Sequence, residues 1–353
     1  MKIVLDPYEA SNKYIELIKQ AILKLNVEIY RLSDVKENEE LFYEIDFFVL
    51  NWYESLYVDS FLRQSKRYFD KIHFLKKIEK NKKKLVFVMH NKRPHNSKYA
   101  IWGKKIMIYL IKKSYKIVIH SEETREVISE MVNYSKVKNK IVHIPHPNYI
   151  GVYKDVEEKN IKDKEHLNLL FIGKIQPYKN VDLLIEVFNE LNLKNVRLTL
   201  AGKVNTAEYE EHINALIGNN KNITKEFRFI EDDEMQNFIS KSDMLILPYD
   251  IQSSLNSGTI ILAFSSRKTV LSPLIGTLKD FKNKDKFFSY TYTDKESHKK
   301  ELKEKLLQIY ELYKRDKNII EDMGNECYSM VKCENSLEKV TQAYKTIFFN
   351  EDI

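Results

Sequence analysis

The stretch LNLLFIGKIQPYKNVDLLIEVFNELNLKNVRLTLAG, residues 167–202, falls into three parts. LNLLFI (167–172) is a short, nearly unbroken apolar run, the pattern of a strand buried on both faces. After Gly173 and a polar loop, apolar side chains recur at helical spacing from about Val181 to Leu191. VRLTLA (196–201) is a second such strand, closed by Gly202. Strand, helix and strand in this order read as a βαβ unit, in which the two strands run parallel.

The same alternation continues on either side. FRFI (227–230), MLILPY (244–249) and TVLSP (269–273) are predicted strands separated by helical segments, and the Lys- and Glu-rich tail from about Lys295 is predicted helical. Upstream, KIVL (2–5), VEIY (27–30), DFFVL (46–50), KLVFVM (84–89), KIVIH (116–120) and KIVHI (140–144) are predicted strands. Helices are predicted over about 8–25, 61–84, 98–113 and 122–133. PNYIGVYKDVEEKNIKDKEH (147–166) breaks the pattern with a polar, charged run. The expected fold class is therefore α/β, with two Rossmann-like βα domains over residues 1–150 and 167–333, joined by a linker at 151–166. In open parallel sheets ligands bind beyond the carboxyl ends of the strands, which selects the loops after Met89, Ile172, Ala201, Ile230 and Tyr249.

Composition agrees with two packed domains. The chain has 353 residues, 43% of them apolar, which excludes a disordered chain. Its two cysteines, Cys327 and Cys333, cannot staple a fold of this size and point to a reducing compartment. No apolar run reaches the roughly 18–20 residues of a membrane span. The start, MKIVLDPYEASNKY, lacks the apolar core of a signal peptide, so the expected location is cytoplasmic. The net charge of +7 is concentrated: residues 61–84 hold ten basic and two acidic side chains. On that helix Phe61, Ser65, Tyr68, Ile72 and Leu75 share one face, with Arg63, Lys66, Arg67 and Lys77 roughly opposite. Two readings stay open, a solvated basic face or docking to an anionic membrane surface on the inner side of the plasma membrane. The rest of the chain shows no basic stripe with interleaved aromatics, so nucleic acid is not an expected partner.

Several chemistries lack their motif. There is no G-x-G-x-x-G after a strand, no Walker A loop, no G-x-S-x-G and no H-E-x-x-H. The cysteines lack metal spacing, and His90 with His95 makes a weak zinc pair, so no metal site is expected. Asp232 and Asp233 stand where a helix should begin and are read as capping residues. What remains points to phosphate. Gly173, Lys174 and Lys179 follow a buried strand, where two lysines beside a glycine turn can converge on a diphosphate. Ser257, Gly258 and Thr259 open an apolar helix after the strand ending near Tyr249, and a helix start offers free N–H groups to an anion. In the first half, VFVMHNKRPHN places His90 and Asn91 at a strand's carboxyl end, with His95 beyond; such a histidine can hold a substrate hydroxyl or move a proton. His143 and His146 are read as hinge or packing residues.

These residues together resemble family 4 of the bacterial GT-B glycosyltransferases, of the exopolysaccharide and capsule type. Gly173, Lys174 and Lys179 are similar to that family's diphosphate clamp, and LAGK (200–203), KSDMLILPY (241–249) and SGTIILAFSSRKTVLSPLIG (257–276) follow in the family's order. NWYE (51–54), MHNKRPH (89–95) and HPNYIGVY (146–153) resemble its acceptor domain, and ENSLEKVTQAYKTIF (334–348) its last helix. The resemblance implies a GT-B fold: an acceptor-binding domain over 1–150, a donor-binding domain over 167–333, a cleft between them, and residues 334–353 returning to the first domain. It implies a hexosyltransferase that uses a nucleotide sugar and retains the anomeric configuration without an obligatory metal; UDP is preferred as the carrier only because such donors are common. It implies catalytic roles for His90, Lys174 and Lys179. Donor contacts would come from Gly173, Lys174, Lys179, Gly202, Asp250, Ser257, Gly258 and Thr259, and acceptor contacts from Asn12, Glu54, Asn91 and His95. The acceptor would be a glycan or lipid-linked glycan. One departure stands out: two glutamates usual in the family align with Ser254 and Leu262 here. That departure keeps two other readings open, an epimerase or phosphorylase on the same fold and a catalytically weak partner subunit.

Overall fold

The structure is a computed structural model that describes residues 1–10, 13–56, 60–93, 100–153 and 165–349. The expected acceptor contacts Asn12 and His95, and most of the expected linker, lie outside the described residues. The chain divides into two compact units, Met1–Pro147 with the chain from Asn335 onward, and Asn148–Glu334.

The first unit holds a six-stranded parallel sheet of β1 (Lys2–Asp6), β2 (Glu28–Tyr30), β3 (Phe47–Asn51), β4 (Lys84–Met89), β5 (Lys116–Ile119) and β6 (Ile141–His143). Their spatial order is β2-β1-β3-β4-β5-β6. The central strands are apolar throughout because helices cover both faces; every residue of β3 is buried. The helix Leu337–Phe349 completes this core: Val340, Tyr344, Ile347 and Phe348 pack with Ile15 and Ile18 of the helix Lys13–Leu23.

The second unit repeats the plan with β7 (Leu167–Ile172), β8 (Val196–Ala201), β9 (Ile223–Glu226), β10 (Met244–Ile246), β11 (Thr269–Pro273) and β12 (Phe288–Tyr290), in the order β12-β11-β10-β7-β8-β9, all parallel. The boundary falls before Asn148, earlier than the expected linker. Asn148 Nδ2 donates to Val331 O at 2.9 Å and Tyr149 N to Ser265 Oγ at 2.9 Å, which ties this turn to the second unit.

Three sequence expectations are corrected. The strand after β8 is ITKE, not FRFI: residues 227–230 lie beyond it, and Phe229 is exposed. β9 lies at the edge of the sheet and only Ile223 of its four residues is buried, so its apolar signal is weak. The strand β12 and the helices Leu32–Glu37 and Glu39–Glu44 were too short to register as periodic patterns. MLILPY is strand only as far as Ile246.

Two glycines let the second unit close. Gly173 and Gly202 follow adjacent strands with φ of +128° and +143°, and a Cβ on Gly202 would lie 2.0 Å from the Gly173 carbonyl oxygen. No side chain fits there, and the backbone conformation excludes one independently. By contrast Gly218, with φ of +55°, has only Ala215 O near, at 3.9 Å. Thermal unfolding should show Gly202→Ala strongly destabilised or insoluble, and Gly218→Ala, which meets backbone strain but no close contact, less so. Equal losses would mean that the close approach is not a packing constraint.

Candidate active site

In the second unit the loops beyond the strands are tied to one another. Gly173 N donates to Ala201 O at 3.0 Å, Ile175 N to Lys203 O at 3.0 Å and Asn205 N to Ile175 O at 2.9 Å, so the β7 and β8 loops extend the parallel ladder past the sheet. The chain then makes a short turn, Pro177–Lys179, before the helix Val181–Leu191. That turn is held to the β10 loop: Asn180 Nδ2 donates to Pro248 O at 3.0 Å, and Asp250 N to Tyr178 O at 2.9 Å.

This bracing sets Lys179 over the face of Tyr249, its Nζ 3.9 Å from the ring centroid. Such a stacked cation is stabilised by the ring quadrupole. Burial disfavours the Lys179 ammonium, but Tyr249 and Tyr178 outweigh it and hold the pKa above the ordinary lysine value. The Tyr249 hydroxyl accepts a hydrogen bond from Ser257 Oγ at 3.3 Å. Ser257 caps the helix Gly258–Ser265: its Oγ accepts from Ile260 N at 3.3 Å, and its own N–H donates to Thr277 Oγ1 at 2.9 Å. The first-turn amides of Gly258 and Thr259 have no helical partner by the geometry of a helix start. A positive side chain, a phenol and a helix N-terminus thus join at the carboxyl end of β10. That arrangement can hold an anion and stabilise charge growing on it.

The other expected donor residues are placed differently. Lys174 is exposed on the loop after Gly173. Gly202 serves the loop packing. Asp250 is engaged by its own turn, where it accepts from Gln252 N at 3.0 Å and Ser253 Oγ at 2.9 Å, with the Tyr292 hydroxyl 3.4 Å away. Asp232 and Asp233 lie in the first turn of the helix Asp232–Ser240, behind a capping box of Glu231 and Glu234.

In the first unit, the residues that follow four neighbouring strands meet around Tyr14. His90 is buried and stacked on Trp52, with ring centroids 4.1 Å apart and planes 20° from parallel. Asn51 Nδ2 donates to Asp6 O at 3.2 Å, so its Oδ1 faces His90 and accepts from His90 Nε2 at 3.0 Å. His120 Nδ1 donates to Ile144 O at 2.8 Å, which makes its Nε2 the acceptor for the Tyr14 hydroxyl at 2.9 Å. His146 Nδ1 donates to Pro147 O at 2.8 Å, and its ring centroid lies 5.0 Å from that of Tyr14. Burial, with the neighbouring histidines adding to it, holds His90 well below its ordinary pKa and brings His120 to about 3; burial alone brings His146 to about 4. All three are neutral imidazoles near pH 7. His146 is thus a packing residue, as the sequence reading allowed, and the rings it packs on are those of this cluster. His120 and Tyr14 were missed, although His120 stands directly after a strand, as His90 does.

Beside this cluster lies Glu54, fully buried, with neither carboxyl oxygen hydrogen-bonded. Burial pushes its pKa up to about 7. Asn91 is buried next to it, and its side chain lies close enough to Glu54 to oppose the upward shift of the carboxyl. Lys71, which donates to Tyr53 O at 2.6 Å and Ser55 O at 2.9 Å, is lowered to about 8 by burial. Glu54 and Asn91 together offer an acceptor and a donor to a hydroxyl-bearing ligand. Among the described residues no group of His, Cys, Asp and Glu could hold a metal ion.

Comparison with known proteins follows this division. The chain overlays on HepE of Anabaena, solved with UDP and glucose, with a TM-score of 0.71 at 11% identity, covering 99% of this chain and 100% of that one. It also overlays on sucrose-phosphate synthase of Thermosynechococcus elongatus (TM-score 0.70, 10% identity, 99% of each chain). A glycosyltransferase of Rickettsia africae gives 0.66 at 15% identity, over 99% of this chain and 98% of that one. The fold is GT-B. Residues 153–267, within the second unit, match the family model of the glycosyl transferases group 1. A GDP-mannose:glycolipid 4-beta-D-mannosyltransferase of Xanthomonas campestris is 28% identical over 105 residues, which is 30% of this chain and 30% of that relative.

The buried imidazoles make stability pH-dependent. His120 is neutral in the native state down to about pH 3 but titrates near 6.5 when unfolded. Its contribution is present above pH 6.5 and is lost as pH falls toward 3, at about 1.4 kcal/mol per pH unit. Asp6 and Glu54, both raised by burial, titrate in the opposite sense. A comparison of variants removes them. Urea unfolding between pH 6.5 and 4.5 should give His120→Gln a slope shallower than wild type by about one proton. Parallel slopes would contradict a neutral, buried His120.

Proposed function

We propose that the chain is a hexosyltransferase that moves a sugar from a nucleoside-diphosphate sugar to a hydroxyl of a glycan or lipid-linked glycan during synthesis of a surface polysaccharide. The reading rests chiefly on the Lys179–Tyr249–Ser257 arrangement, inside the segment that matches the group 1 glycosyl transferases. The donor class is the one common to the relatives: GDP-mannose is named for the Xanthomonas enzyme, and UDP-glucose is bound in another HepE structure. The Xanthomonas name also supplies the glycolipid acceptor.

In this reading the bond between the sugar's anomeric carbon and the diphosphate breaks as the acceptor oxygen takes its place. Negative charge grows on the leaving diphosphate. Lys179, braced by Tyr249, and the amides of Gly258 and Thr259 meet that charge, so the reaction needs no obligatory metal. Lys174, exposed on the loop after Gly173, adds a second cation to the bound diphosphate. The neutral imidazole of His90 and the pair Glu54–Asn91 orient sugar and acceptor hydroxyls. Retention of the anomeric configuration belongs to the proposal through the family resemblance.

Lys179→Ala should lower kcat/KM for transfer about 100-fold and weaken nucleoside-diphosphate binding, with Lys174→Ala less affected. Calorimetry and a transfer assay over a panel of UDP and GDP sugars measure both, and EDTA should leave the rate unchanged. Full activity in the Lys174→Ala/Lys179→Ala double variant would overturn the assignment. Glu54→Gln should raise KM for the acceptor while donor affinity stays constant; a loss of donor affinity instead would move Glu54 to the other substrate.

A further inference from the structure

The basic helix Phe61–Lys80 differs from its sequence reading at Phe61, which is exposed, and at Lys77. Lys77, expected on the free basic face, pairs with Glu39 at 3.5 Å and lies over the Phe42 ring at 4.4 Å, so it faces the protein. Gln64, Ile72, Leu75 and Ile78 form the buried side. Pointing away from that side are two large apolar residues, Leu62 (78% exposed) and Phe69 (61%). Phe61 (48%) adjoins them, and Ile101 (59%) stands at the start of the helix Ala100–Lys113. Trp102 joins the two helices, its ring 4.7 Å from Tyr68, 6.2 Å from Phe61 and 6.3 Å from Phe69. Its Nε1 is buried without a hydrogen-bond partner. Of ten exposed large apolar side chains among the described residues, four are gathered here, too many for scattered surface residues.

The rim of this patch is cationic. Arg63, Lys66, Arg67, Lys104 and Lys105 are exposed, with Lys105 Nζ 4.7 Å from the Trp102 ring. Of the two acids in 61–84, Asp70 is exposed, while Glu79 is paired with Lys113 at 2.6 Å. Apolar side chains at the centre, an indole at the edge and long cations around them match the interface of an anionic bilayer. There the apolar groups enter the acyl boundary and the lysines and arginines reach phosphates.

We propose that Phe61, Leu62, Phe69, Ile101 and Trp102 form a lipid-inserting patch that seats the first unit on anionic phospholipid, with Arg63, Lys66 and Arg67 as its headgroup contacts. No helix among the described residues is long and apolar enough to cross a membrane, so the attachment is superficial. The inference stands apart from the transfer reaction, because lipid partition and nucleotide binding are read separately and either can fail alone.

The test uses the full chain with vesicles of phosphatidylglycerol and phosphatidylcholine. In a Trp52→Phe background Trp102 is the one remaining tryptophan. Its emission should shift to the blue on anionic vesicles and be quenched by brominated acyl chains. Leu62→Ser/Phe69→Ser should lower partition at least tenfold while thermal unfolding and nucleotide binding stay as in the parent. Arg63→Glu/Lys66→Glu should do the same and remove the preference for anionic lipid. Failure of the parent chain to bind anionic vesicles overturns the proposal, as does binding that ignores the Leu62/Phe69 substitutions. A dimer in solution that the same substitutions dissolve would show that a second copy, not lipid, covers the patch.

Discussion

Everything proposed for the second unit depends on two backbones touching. Gly173 and Gly202 follow neighbouring strands, and the space between them does not admit a Cβ. That contact keeps the β7 and β8 loops in ladder register beyond the sheet, so the turn Pro177–Lys179 leaves the sheet in one direction. The hydrogen bonds from Asn180 and Asp250 then fasten this turn to the β10 loop. Lys179 meets Tyr249 as a consequence. Its ammonium is positioned by backbone geometry two loops away, and not by a carboxylate partner that would compete with a phosphate. A cation held by a ring face keeps its charge available to an anionic ligand.

The first unit solves a different problem. Its strand ends bury three imidazoles, a phenol and an amide in one cluster, which costs free energy unless the polar atoms are paired. Tyr14, Asn51 and the carbonyls of Ile144 and Pro147 supply partners, and the imidazoles remain uncharged. Glu54 departs from that pattern: it is fully buried, and neither carboxyl oxygen makes a full hydrogen bond although the Asn91 side chain lies against it. Buried unsatisfied groups are few in native proteins and mark places where a ligand completes the bonding. Neutral imidazoles and a carboxyl titrating near neutrality suit the handling of hydroxyl groups, whereas the Lys179 turn and the helix start after Ser257 suit phosphate.

Much of this was legible in the sequence, for identifiable reasons. Strands buried on both faces, such as β3, β4 and β7, announce themselves as apolar runs, and the rule that ligands meet strand carboxyl ends selected His90, Gly173 and Lys179. The edge strand β9 and the three-residue β12 were not legible, because largely unburied or very short strands carry little pattern. Tyr249 read as the end of a strand, and only the fold showed that its ring carries Lys179. His120 and Tyr14 were passed over because distant positions converge only once the sheet order is known. Helical periodicity put Lys77 with the free cations, but Glu39 and Phe42 reach it from a neighbouring helix.

The central claim is that a nucleoside diphosphate is held by the Lys179 turn and the helix that begins after Ser257. Hydrogen exchange of the full chain with and without UDP or GDP reads this directly, since backbone amides are the proposed contacts. The account predicts that nucleotide slows exchange over residues 173–180 and 256–260, and leaves the strands of the first unit unchanged. Protection confined to other segments, or none from any nucleotide at saturating concentration, would contradict it.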